Sequence, residues 1–160
     1  MVYHLISIIL IHYQLYDTII PKDGDHMANG YVETFEIVEK YLKELKSILC
    51  SESFTYTNDM DVLLSTVPES TGYKNSDTMD KLKYTKSDIY NTLLSLTVND
   101  YSETLADTKG STLPPLYVFG KTINTKEVYI KVKIRDKVKN KIFCLAFHFA
   151  KFPIIKPYSI

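Results

Sequence analysis

Two stretches near the C-terminus hold the residue types that proton transfer around a phosphodiester requires. In Glu127–Arg135, Val128, Ile130, Val132 and Ile134 alternate with Tyr129, Lys131, Lys133 and Arg135. In Lys141–Phe149, Phe143, Leu145, Phe147 and Phe149 alternate with Ile142, Cys144, Ala146 and His148. A period of two is that of a half-buried strand. Burial puts the Val/Ile face of the first stretch and the Phe face of the second into one core, so His148 shares a side with Tyr129, Lys131 and Lys133. Pairing Arg135 with Ile142 across the intervening loop sets Tyr129 directly opposite His148, with Cβ atoms within about 5.5 Å.

Cleavage at a ribose 2′-hydroxyl needs a base for that proton, an acid for the leaving 5′-oxygen and cations for the charge that builds on phosphorus. Histidine titrates near neutrality and lysine is a compact charge suited to phosphate. The expected set is His148, Tyr129 and Lys131 for chemistry, with Lys133, Arg135 and Lys121 contacting RNA. Tyr129, Tyr117 or Phe119 can stack an unpaired base, although the pairing above turns Tyr117 and Phe119 toward the core. Plainer readings stand beside these. A lone histidine at a strand end is commonly structural, alternating lysines discourage edge aggregation, and a sheet tyrosine usually packs.

Charge supports the anionic-partner reading. The chain has no net charge, yet Met1–Pro114 carries 9 Lys against 17 acidic residues and Pro115–Ile160 carries 10 basic residues against 2 acidic ones. The halves are −8 and +8, a polarity that points to nucleic acid first and a membrane surface second at the basic end. A solubilising Lys-rich surface is the alternative. Arg135 is the single arginine, and the skew toward Lys, Tyr, Ile and Asn suits an AT-rich bacterial coding sequence. Cys50 and Cys144 have no spaced partners, and His4, His12, His26 and His148 form no ligand pair. Reduced thiols in a cytoplasm, no metal and no cofactor are therefore expected.

One domain of α+β class must position these residues. The 160-residue length and 45% hydrophobic content suit a single core. Residues 1–30 form an N-terminal extension and linker. Its apolar run Leu5–Ile11 is too short for a span and lacks a basic start; Met27 is expected to be the true start, with an amphipathic partner-binding helix as the alternative. Residues 31–160 form the domain. Phe35, Val38, Leu42, Leu45 and Leu49 predict an amphipathic helix from Tyr31 to about Cys50. Ser53–Thr57 reads as extended, Asp61–Thr66 as a helical turn and Val67–Lys81 as a loop. Thr85 with Asp88, and Thr97 with Asp100, have capping-box spacing. Residues 103–115 read as a polar loop, followed by a meander of Leu116–Ile123, Glu127–Arg135 and Lys141–Phe149, so helices precede an antiparallel sheet.

In order, Leu94–Tyr101 (LSLTVNDY), Leu116–Lys121 (LYVFGK), Glu127–Lys133 (EVYIKVK) and Cys144–Phe149 (CLAFHF) resemble the MqsR family of toxins, nearest the branch with a histidine in the last strand. The likeness runs over about residues 31–160 and is best from Leu94 onward. It implies a RelE-like fold, metal-independent endonucleolytic cutting of single-stranded mRNA, and a cognate antitoxin encoded nearby. It matches Tyr129 and Lys131 to the family's Val-Tyr-Leu-Lys block, and places His148 where founding members carry a catalytic lysine. Those members also use a lysine just after the Asp-Tyr segment, where Ser102 and Glu103 stand here, and the Pro68–Asp80 insertion exceeds the family's linker. Competing readings are a module that binds RNA or antitoxin without cutting, and a structural partner protein.

Overall fold

A computed structural model describes residues 30–64, 74–107, 110 and 112–159. The expectations for the N-terminal extension, including the Leu5–Ile11 run and Met27, lie outside the described residues. Helix α1 (Phe35–Leu49) follows the predicted periodicity and buries Val38, Tyr41, Leu42, Leu45, Ile48 and Leu49. Thr34 caps it, its hydroxyl accepting from the Ile37 N–H at 3.4 Å. Phe35 stays exposed in the first turn and meets the Tyr158 ring edge-on instead of the core. Helix α2 (Tyr56–Asp59) and helix α3 (Asn75–Leu82) are short. Helix α4 (Lys86–Leu94) and the 3₁₀ turn Val98–Asp100 each open on the expected capping box, at Thr85/Asp88 and Thr97/Asp100.

Among the described residues, six strands form one sheet in the order β1-β3-β4-β5-β6-β2. They are β1 (Gly30–Tyr31), β2 (Met60–Val62), β3 (Tyr101–Leu105), β4 (Leu116–Ile123), β5 (Lys126–Asp136) and β6 (Lys141–Phe149). All neighbours are antiparallel except β2, which runs parallel to β6. The fold is α+β, as expected, but the meander is only its centre. The region read as a loop from 103 begins inside a strand, the Asp61 turn is a strand, and the Val67–Lys81 loop contains α3. Asn124 and Thr125 make the β4–β5 turn with φ of 47° and 67°, as a two-residue hairpin requires.

Helices α1 and α4 cover one face of the sheet, where Tyr117, Phe119, Val128, Ile130, Val132, Ile134, Ile142, Cys144 and Phe147 join their buried side chains. The opposite face has a small apolar cluster of Leu105, Leu116 and Val118 with Tyr129 and Leu145 packed on it. Strand β6 takes an extra residue where the register shifts between Lys131↔Ala146 and Val132↔Cys144. That bulge reverses the expected alternation in its first half. Ile142 and Cys144 enter the core, while Phe143 lies opposite Lys133 and Leu145 packs beside Tyr129.

Beyond β2 the outer edge of β6 is closed by side chains of α3. Asn75, 2% exposed, donates to the Leu145 carbonyl at 3.2 Å and accepts from the Phe147 N–H at 2.8 Å. Thr78 accepts from the Phe149 N–H at 3.0 Å. These groups replace a seventh strand, so the edge is not left open for pairing with another chain.

Candidate functional site

Tyr129 and His148 are cross-strand partners on the sheet face opposite the helices. The sequence reached this pair through Arg135↔Ile142, which the structure replaces with Ile134↔Ile142 and Asp136↔Lys141. Two register shifts, one in β6 and one at Arg135, cancel between them, and the Tyr129↔His148 register survives. The rings stack at 5.3 Å with planes 19° apart. Lys131 sits two residues along on the same face, its Nζ 5.7 Å from the Tyr129 ring centre, a cation–π distance.

The imidazole's surroundings define its proton. Nδ1 lies 3.0 Å from the Phe149 carbonyl oxygen, which can only accept, so Nδ1 carries the hydrogen and donates. In the neutral ring Nε2 is then the acceptor, the position of a general base. Burial holds the His148 pKa below its ordinary value, the Phe149 hydrogen bond opposes that shift, and the charge of Lys131 reinforces it. The ring is thus biased toward the neutral form.

The other expected contacts are distributed differently. Lys133 is buried, its ammonium paired with Asp107 at 2.5 Å and the two side chains only 8% and 9% exposed. Its charge ties the segment after β3 to the sheet and is not presented at the surface. Arg135 is the bulged residue of β5, bonds Asp61 at 2.6 Å and lies over the Phe143 ring. Lys121 shares its face with Phe119 and Ile123 on the helical side, bonded to Asp100 and the Ser95 carbonyl, each at 3.1 Å. Tyr117 and Phe119 are core residues, Tyr117 stacked on Tyr41 at 3.6 Å.

The charge polarity has an internal use. Lys121, Lys133, Arg135, Lys137 and Lys141 pair with Asp100, Asp107, Asp61, Glu44 and Asp59 from the acidic part of the chain. The basic half and the acidic half therefore neutralise one another across elements, and the +8 of the C-terminal region does not become a continuous cationic face.

The sequence did not place two features on this face. Glu103, opposite Val118, occupies the same cross-sheet row as Lys131. Burial pushes its carboxyl up against the pull of Lys131. The signal was present in the Tyr-Ser-Glu-Thr-Leu run, which alternates too briefly to be separated from the polar loop that follows. The second feature is the C-terminal segment, which returns over Gly120, the residue paired with Tyr129 across β4 and β5. A Cβ on Gly120 would lie 2.9 Å from both Ile154 Cδ1 and Lys156 Cε, so a larger residue there would push these two side chains aside.

Cys144 is buried and its thiol is pushed up to about 12, which leaves it protonated and inert. Among the described residues no group of three His, Cys, Asp or Glu is placed to hold a metal ion, and no helix is long and apolar enough to cross a membrane. No family model, no curated protein and no solved structure matches this chain.

Proposed function

We propose that the protein is a metal-independent endoribonuclease that cuts single-stranded mRNA, the toxin of a type II toxin–antitoxin pair of MqsR-like kind acting in the cytoplasm. The observation that carries the reading is the Tyr129–His148 stack, with the histidine's hydrogen directed to the Phe149 carbonyl and Lys131 beside it. Nε2 of His148 takes the 2′-hydroxyl proton, the 2′-oxygen attacks phosphorus, and the bond to the 5′-oxygen breaks. Tyr129 orients the imidazole and supplies the leaving oxygen's proton through its hydroxyl. Lys131 offsets the charge that builds on the phosphoryl oxygens. An antitoxin that covers this face excludes RNA.

Incubation of the purified protein with unstructured RNA in excess chelator tests the reading. Products ending in 2′,3′-cyclic phosphate and 5′-hydroxyl are expected; loss of cutting in EDTA with recovery on magnesium or zinc would exclude this mechanism. A second reading is favoured by the internal ion pairs, which take up most of the sheet's cations. In it the face binds RNA or an antitoxin without cutting, and His148→Ala leaves that binding unchanged.

A further inference from the structure

The Tyr129 ring has a charged neighbour on each side along β5, Lys131 two residues on and Glu127 two residues back, all three on one face by strand alternation. Glu127 holds the C-terminal segment in place. Its carboxylate accepts from the Ile154 N–H at 3.0 Å and pairs with Lys156 Nζ at 2.8 Å. Lys156 reaches that position across the space left by Gly120. The segment is anchored again at Tyr158, whose hydroxyl donates to the Glu33 carbonyl at 2.5 Å and whose ring stacks on Tyr101 at 6.1 Å.

We infer that Lys156 is a second phosphate-binding residue of the site, delivered to the Gly120 side of Tyr129 by the C-terminal segment and held there by Glu127. The inference rests on the reading that this face takes single-stranded RNA. A base stacked on the Tyr129–His148 platform has backbone phosphates on both sides. Lys131 follows Tyr129 along β5, and Lys156 passes over Gly120 on the neighbouring strand and reaches back to Glu127, so the two ammonium groups approach the platform from different sides. Glu127 competes with RNA for the ammonium, so the cation is screened until a phosphate replaces the carboxylate.

Binding of a labelled 2′-O-methyl oligoribonucleotide, which cannot be cut, measured against salt tests this on the full chain. Lys156→Gln should weaken binding ~10-fold at low salt and reduce the salt slope by about 0.7, while Lys156→Arg retains both. Glu127→Gln should tighten binding, because the competing carboxylate is gone. Wild-type affinity and slope in Lys156→Gln, or unchanged affinity in Glu127→Gln, would overturn the assignment while leaving the RNA reading intact. No binding by the wild-type chain would overturn both.

Discussion

Asp107→Asn should lower the stability of this protein markedly. Lys133 and Asp107 meet with side chains 8% and 9% exposed, so neither charge has bulk water to fall back on. Removing one partner of a buried pair typically costs about 3–5 kcal/mol, because the survivor remains desolvated and uncompensated. For a domain of this size ~2–4 °C are lost per kcal/mol, so the melting temperature should fall by roughly 6–20 °C. Lys133→Met combined with Asp107→Leu removes both charges and should recover most of the loss. The assay is thermal unfolding by circular dichroism of wild type, Asp107→Leu, Lys133→Met and their double variant, closed as a double-mutant cycle, with Asp107→Asn measured alongside. An Asp107→Asn protein melting within 1–2 °C of wild type would refute a buried pair and return Lys133 to the surface, where the sequence had placed it.

Four further outcomes follow from the geometry. Burial holds the His148 pKa below 6.5, so cleavage should rise with pH to a plateau with its midpoint below that value, as a neutral base requires. The same shift makes stability fall as pH drops from about 6.5 through the lowered folded pKa, since the unfolded chain then binds more protons; His148→Gln should lack that dependence in denaturant titrations at stepped pH. Asn75→Ala strips partners from the Leu145 carbonyl and Phe147 N–H, costing on the order of 2–3 kcal/mol and exposing the β6 edge, read as a lower urea midpoint and concentration-dependent light scattering. Lys121→Ala should leave RNA affinity unchanged, because Lys121 lies on the helical side bonded to Asp100 and Ser95; a tenfold loss would contradict that placement.

What the sequence made legible divides along periodicity. Helix α1, the two capping boxes and the three central strands were readable because each repeats a clear period or carries a local hydrogen-bond signature. Strands β1 and β2, with two and three residues, are too short to show a period and owe their pairing to β3 and β6. The β6 bulge was invisible because Ile142 through Phe147 is apolar in both phases, so a shift by one residue leaves no polar residue out of place. The Tyr129–His148 pairing was correct through a register that erred at its other end. The fates of Lys133 and Lys121 depend on Asp107 and Asp100, partners 26 and 21 residues away. Counting charges along the chain could not reveal those pairs.

The central claim rests on His148, and the most direct measurement is single-turnover cleavage of one unstructured RNA by wild type and His148→Ala, each checked by melting temperature and RNA affinity. His148 is a partly exposed residue on the face away from the helical core, so the variant should fold and bind much as wild type does. A general acid or base contributes ~100- to 10,000-fold in rate, and a loss of that size with folding and binding preserved is the predicted result. A folded His148→Ala protein that cuts at the wild-type rate would contradict the account.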